Sequence, residues 1–387
     1  MKFLFWFLIL LVFYTYVGYG IILFLLVRIK GLFRARLELA SDFFPGVTLV
    51  VPAYNEEDFI AKKAQNCREL NYPEDQLRIL FITDGSNDRT VEILRDEPGV
   101  ELSHSERRAG KSAAKNSAMT LVETDYVVFS DAHTLLNPDC IKNLVRHYRE
   151  EKVGAVSGEK RVMSSEADVA SAAGEGLYWC YESALKRWGS ELYTVVGAID
   201  KLTSFRSSLW QDLEKDTILD DFIQTLRICE KGYRVVYEPE AFAAENANDD
   251  PQEDLKRKIR IAAGGWQAMA RLQSLLNFFA HPLLSFQYIS HRFLRWSFSA
   301  FALPIIFVIN LVLYDQGPTY QLLMWAQLAF YISALVGWAL ENREIRLKLL
   351  FVPYYFLKTN YAVFAGFGRW LGGSKKANWM RAKRARS

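Results

Sequence analysis

Leu77-Arg-Ile-Leu-Phe-Ile-Thr-Asp-Gly-Ser-Asn-Asp-Arg-Thr90 decides how the rest of the chain is read. An apolar, β-branched run ends at Thr83, an acidic turn follows, and a helical pattern begins at Arg89. Such a run bounded by turn residues predicts a buried strand. Gly85 relieves the tight turn and Asp88 can cap the next helix. That leaves Asp84 facing the crevice, able to accept from a base or a ribose.

The same grammar recurs on both sides. Val47-Thr-Leu-Val-Val-Pro52 runs into Ala53-Tyr54-Asn55-Glu56-Glu57-Asp58, and Tyr126-Val-Val-Phe-Ser130 runs into Asp131-Ala132-His133. Helical stretches, Asp58 to Leu70, Arg89 to Arg95 and Lys111 to Glu123, lie between. Alternation of this kind predicts an α/β domain with a largely parallel sheet and helices on both faces. Ligands of such sheets sit at the carboxyl ends of the strands, where three acidic loops fall in succession. Asp131 and His133 are two apart, so both can point the same way and share a divalent cation. The five histidines make no metal-ligand pattern by themselves.

Two further stretches carry charge. Arg107-Arg108-Ala109-Gly110-Lys111-Ser112 ends like a phosphate-cradling loop, but that loop needs a glycine where Ser105 stands. Two Arg and a Lys before a helix still suit an anion, and equally suit a solvated basic face. Leu219-Asp220-Asp221-Phe222 opens another helix. Its carboxylates either cap that helix or, if one is buried near negative charge, supply a general base.

Outside this domain the chain turns apolar. Phe3 to Val27 carries no charge over 25 residues, above the roughly 20 that span a bilayer. It is longer than a signal-peptide core and runs into Arg28, Lys30, Arg34 and Arg36, so it reads as a retained anchor. Trp296 to Tyr314 and Gln316 to Leu340 form a hairpin of two spans around Asp315-Gln316-Gly317-Pro318. Leu349 to Gly368 is apolar but holds Lys358 and Asn360, which makes a full crossing costly. The expected divisions are an anchor at 1–30, the α/β domain at 41–250, amphipathic surface helices at 251–292 (Gln252 to Gln273, then Leu275 to Ile289), a membrane region at 293–371 and a basic tail at 372–387. Basic residues place the α/β domain in the cytoplasm. The tail holds seven basic and no acidic residues from Arg369 on, which favours the cytoplasm too and a last segment that does not cross.

Composition closes off other classes. The chain has 387 residues, 51% hydrophobic and 24% charged, too apolar for disorder and too charged for an all-membrane bundle. A net charge of +3 does not indicate a nucleic-acid partner. Cys67, Cys140, Cys180 and Cys229 have no close pairs, so neither a zinc knuckle nor a disulfide framework is readable, and a reducing compartment fits.

Together, Val50-Val-Pro-Ala-Tyr-Asn-Glu-Glu57, Thr83 to Thr90, Arg108-Ala-Gly-Lys-Ser112, Ser130-Asp-Ala-His133, Gly197-Ala198-Ile199 with Phe205-Arg206, and Asp220-Asp221 resemble the glycosyltransferase family 2 domain of membrane polysaccharide synthases, those of hyaluronan, chitin, cellulose and poly-N-acetylglucosamine. The resemblance spans roughly Pro45 to Glu240. It implies a GT-A fold that binds a nucleoside diphosphate sugar, a UDP-sugar by family habit. By the resemblance, Ala53, Tyr54, Glu56 and Asp84 hold the nucleoside and Lys111 lies near the nucleotide. Asp131 ligates Mg²⁺ or Mn²⁺ through the diphosphate, with His133 in place of the family's second Asp. Asp221, beside Asp220, takes the acceptor's proton, which implies inversion at the anomeric carbon. Gly197, Arg257 and Arg260 fall in stretches that contact acceptor and nucleotide. Arg257 stands for the family's Gln and Ile261 for its Trp, which removes a stacking ring unless Trp266 supplies one.

The expected partners are a nucleotide-sugar donor, a glycan or lipid-linked acceptor and the bilayer. Three or four spans leave room for a minimal channel, or one completed by a small accessory membrane subunit. A polymerising synthase and a single-sugar transferase remain open alternatives. A nucleotide-sensing transporter or a non-catalytic scaffold is the reading from a different class.

Overall fold

The computed structural model of the chain describes residues 1–33, 43–163, 172–198, 201–246, 251–341 and 348–373. Arg34, Arg36, Ile199, Arg343, Arg346 and the tail beyond 373 lie outside the described residues.

The strands are β1 (Val47–Ala53), β2 (Leu77–Asp84), β3 (Glu101–Ser105), β4 (Tyr126–Ser130), β5 (Leu135–Leu136), β6 (Val153–Met163), β7 (Leu202–Arg206) and β8 (Arg234–Asn246). They form one sheet in the order β3-β2-β1-β4-β7-β6-β8-β5. The β3-β2-β1-β4 half is parallel throughout, with Ala53 level with Thr83 in adjacent strands. β7 then runs antiparallel to both β4 and β6, so the sheet is mixed.

Alternate residues explain its layering. Leu49 and Val51 enter one apolar core with Ile60, Ala64, Ile141 and Leu144, carried by α2 (Ile60–Arg68) and α5 (Cys140–Val145). Val50 enters the opposite core with Ala114, Ala118, Ile223 and Leu226 from α4 (Lys111–Met119) and α7 (Asp220–Glu230). Strands covered on both faces show continuous apolar runs, which is why β1, β2 and β4 are legible in the sequence. β3 is not, because its half-exposed Glu-Leu-Ser-His-Ser lacks that signature.

Among the described residues three helices are long and apolar enough to cross a membrane: α1 (Lys2–Phe33), α9 (Pro282–Gln316) and α10 (Pro318–Glu341). One expectation fails here. Leu275 to Ile289 is not a helix lying on a surface. The helix begins at Pro282 and continues without interruption into the span, and its first turns bury Leu284 and Tyr288 in the core beside α7. Leu275, Leu284 and Tyr288 are buried in the domain, while Phe278, Phe279 and Leu283 stay exposed.

Ion pairs lock this inner end of α9. Glu182 on α6 (Ala172–Leu192) is met by His291 at 3.3 Å, Arg292 at 3.4 Å and the Arg295 guanidinium. α1 joins the same region, since Tyr14 hydrogen-bonds Ser290 at 2.6 Å and Tyr181 donates to the Tyr16 carbonyl at 2.8 Å.

α11 (Lys348–Leu371) packs along α8 (Pro251–Arg271), where Gly366 lies against Ala262 and Ala263. Lys358 meets Asp254 at 3.2 Å, so its charge is paired against the domain. The amphipathic α8 therefore sits between the domain and α11.

Candidate active site

The carboxyl ends of β1, β2 and β4 open on one side of the sheet and carry Ala53, Asp84 and Asp131. Tyr54 follows β1, and the Arg108 guanidinium stacks on its ring at 3.7 Å. Asp84 does not await a ligand with empty oxygens: one accepts the Ala109 N–H and the other the Gly110 N–H, each at 2.7 Å. This bidentate clamp fixes the loop that begins α4. Gly85 has φ +69°, and a β-carbon there would come within 2.8 Å of the Arg108 nitrogen. Both the backbone sign and the loop's approach require glycine.

From this loop α4 sends two lysines inward, one turn apart. Lys111 donates to Asp131 Oδ1 at 2.8 Å. Lys115 lies 2.7 Å from Asp220 Oδ2 and 2.7 Å from Asp221 Oδ1. The site thus has two carboxylate centres, one at the end of β4 and one at the start of α7.

At the first centre, Lys201 Nζ lies 2.7 Å from Asp131 Oδ2, 3.1 Å from His133 Nε2 and 3.5 Å from Glu245 Oε2. Lys160 also pairs with Glu245. Glu56, near-buried after β1, approaches His133 Nδ1 at 3.8 Å. Burial would raise Asp131, but the Lys111 and Lys201 ammoniums override it and hold its carboxyl well below the usual range. Glu245 is likewise held low despite burial, by His133, Lys201 and Lys160. Behind this loop the buried Lys63 ammonium donates to Ser130 Oγ at 2.8 Å and the Thr134 carbonyl at 2.9 Å, pinning the turn from its core side.

The Asp131 and Glu245 carboxylates lie 3.8 Å and 3.6 Å from His133 Nε2; carboxylates suit Mg²⁺ or Mn²⁺, and an imidazole is a softer donor. His133 Nδ1 is buried without a hydrogen-bond partner. The Lys201 ammonium stands among these groups, and no cluster of three such residues in ligating geometry occurs among the described residues. Neither Lys201 nor Glu245 is evident in the sequence, because they come from distant segments with no shared motif.

At the second centre, Asp220 and Asp221 are both buried. Burial opposes ionisation of Asp220, yet Lys115 and Lys111 hold it below the ordinary carboxylate value. Asp221 is pushed up to about 6 by burial and then by Asp220 beside it. Its Oδ2 has no hydrogen-bond partner among the described residues.

Three residues, Gly197 from the loop before β7 and Gln267 and Arg271 from α8, aim this helix start. Gly197, with φ +87°, lies against the Phe222 ring. Gln267 on α8 accepts from the Ile218 N–H at 3.0 Å and donates to the Asp216 carbonyl at 2.8 Å. Arg271 donates to Thr217 at 2.8 Å and Asp216 at 2.7 Å. α8 thus braces the loop that delivers Asp220 and Asp221. Arg257 and Arg260 lie half-buried on the same helix. Trp266 packs into an aromatic cluster, 4.6 Å from Phe367 and 6.1 Å from Trp370 and near Phe301, on the α9–α11 side. It does not replace the ring missing at Ile261.

Residues 48–212 match the family model described as Glycosyl transferase family 2. A poly-beta-1,6-N-acetyl-D-glucosamine synthase from Staphylococcus aureus is 25% identical over 261 residues, which is 63% of this chain and 60% of that protein. A beta-monoglucosyldiacylglycerol synthase from Trichormus variabilis is 29% identical over 204 residues, covering 48% of this chain and 41% of that one. The chain therefore spans no more than about 60% of the length of these curated relatives. Among solved structures, a mannosyltransferase from Pyrobaculum calidifontis in complex with GDP-Man and Mn²⁺ superposes with a TM-score of 0.70 at 21% identity, over 95% of this chain and 99% of that one. That likeness shows the fold: a GT-A domain flanked by membrane-type helices.

Proposed function

We propose that this chain, which carries a glycosyl transferase family 2 domain at residues 48–212, transfers a sugar from a nucleoside diphosphate sugar to a hydroxyl of a glycan or lipid-linked acceptor at the cytoplasmic face of a membrane. The observation that carries the reading is the pair of carboxylate centres, with Asp221 buried, raised to about 6 and holding one oxygen without a partner.

In this reading the nucleoside lies over Ala53 and Tyr54, beside the Arg108 stack and near Glu56 and Asp84. Lys111 faces the diphosphate. Asp131, beside His133 and Glu245, would hold Mg²⁺ or Mn²⁺ once Lys201 moves aside, and such a cation would neutralise charge on the diphosphate. The acceptor O–H attacks the anomeric carbon from the side opposite the diphosphate, so the configuration inverts. The glycosidic C–O bond forms as the bond to the diphosphate breaks, its electron pair leaves on phosphate, and the proton passes to Asp221 Oδ2. Gly197, through Phe222, and α8, through the 216–218 loop, keep that oxygen aimed. Arg257 and Arg260 extend from α8 towards the acceptor side.

UDP is the expected nucleotide by family habit, and the GDP-Man of the Pyrobaculum structure makes GDP the alternative to test. The acceptor is either a growing polysaccharide or a single lipid-linked unit. Nucleotide release by the protein in lipid nanodiscs, with UDP- and GDP-sugars and either metal, tests the reading. Release from one donor, abolished in Asp221→Asn, supports it. A product ladder identifies a synthase, and a single addition a one-sugar transferase. Equal release by Asp221→Asn overturns the base assignment.

A further inference from the structure

Lys115 is 1% exposed, on the face of α4 turned into the sheet between Ala114 and Ala118 of the core. An ammonium buried this far needs compensation. It has two carboxylates at 2.7 Å and the Phe129 ring at 4.9 Å. One cation thus serves two adjacent acids, and the cluster carries one net negative charge when both are ionised.

We propose that Lys115 is a positioning residue for the Asp220–Asp221 pair: its ammonium, in contact with both carboxylates, lets the pair keep one anion in place while it takes up and releases one proton. This rests on the reading of Asp221 as proton acceptor.

Two carboxylates buried side by side cannot both ionise readily without a nearby cation. With Lys115 between them, the first ionises against the ammonium and the second does so against a neighbouring anion. The charged groups that face Asp221 are Lys111 and Lys115 from α4 and Asp220 from its own helix, while Asp131 at the end of β4 acts on Asp220. Lys111 is engaged by Asp131, so Lys115 is the cation in contact. Taking up the acceptor's proton brings the Lys115–Asp220–Asp221 cluster to zero net charge, which suits a site shielded from water.

The test is the pH dependence of nucleotide release by the full chain in nanodiscs. Lys115→Met should move the acid limb upward by about one pH unit or more, and Lys115→Arg should restore it in part. Asp220→Asn should move the limb downward, with measurable turnover. The charge-balanced Lys115→Met/Asp220→Asn pair should return it towards the parent position. A folded Lys115→Met protein with unaltered nucleotide affinity and an unmoved limb overturns the proposal. Should Lys115→Met fail to fold, an unmoved limb in Asp220→Asn overturns it instead. Full turnover by Asp221→Asn marks failure of the base assignment. A dead Asp221→Asn with unmoved limbs in the other variants marks failure of the Lys115 proposal alone.

Discussion

The ring of Phe222 lies so close to Gly197 that a β-carbon at 197 would come within 2.4 Å of its Cδ2. Gly197 also has φ +87°, a conformation that side chains rarely adopt. Phe222 directly follows Asp221, so Gly197→Ala should displace the proton acceptor while leaving the nucleotide loops unchanged. We expect turnover to fall by about 10²-fold, as for a misplacement near 1 Å, with nucleotide affinity within a fewfold of the parent. Steady-state kinetics with a separate binding titration checks the split.

The acid limb of turnover should lie near pH 6, where burial and Asp220 place the Asp221 carboxyl. The sign follows from the role. The proton acceptor works as the anion, so activity is present above that pH and is lost as pH falls through it. A pH–rate profile at saturating donor measures it, and a flat profile between pH 5 and 7 contradicts the role.

Lys201 stands among the donors of the expected metal site, 2.7 Å from Asp131. A divalent cation must displace that ammonium. Lys201→Met should therefore bind Mn²⁺ more tightly, by about tenfold or more, in calorimetry without nucleotide. Weaker binding would mean that Lys201 helps build the site.

Lys358 on α11 pairs with Asp254 on α8 at 3.2 Å, and burial, opposed by Lys258 and Lys358, leaves the Asp254 carboxyl below its ordinary value. Asp254→Asn removes this carboxylate from a near-buried ammonium. Breaking a buried pair on one side costs about 3 kcal/mol, visible as a lower unfolding temperature in nanodiscs. Asp254→Asn with Lys358→Met should recover much of it.

With α11 tied to α8, we expect a hairpin tip on the far side of the membrane and α11 on the domain side. An impermeant thiol reagent applied to intact cells should label Gln316→Cys but not Gly373→Cys, in a background where Cys180 is replaced. Labelling at 373 would make α11 a fourth crossing.

The parallel half of the sheet was legible because β1, β2 and β4 are covered on both faces and so read as unbroken apolar runs ending in acidic turns. The same grammar marked Asp84 and Asp131 as candidates, while Asp221 stood out as part of an acidic pair opening a helix. What stayed hidden depends on distant segments meeting. Lys115 reads as a polar position on an ordinary helix until α7 is laid against it. Lys201, in the turn just before β7, and Glu245, on β8, lie more than 60 residues beyond Asp131. Leu275 to Ile289 looked membrane-directed because an apolar face carries no label for what covers it. Asp84 looked free because its partners are backbone N–H groups, which no side-chain pattern announces.

Helix α9 runs from Pro282 to Gln316, with wider turns at Ile289–Phe293 and Arg295–Ser299 and Pro304 within it. Near its inner end, Trp296 packs 5.2 Å from Phe222 and directly against Gly265. The end of this candidate span therefore rests on the neighbour of Asp221. We expect a change in its tilt, as when lipid of different thickness surrounds it, to shift Asp221. The bilayer would in that sense be a mechanical input to the chemistry, and we expect stripping it away with detergent to alter turnover without touching a residue of the nucleotide site.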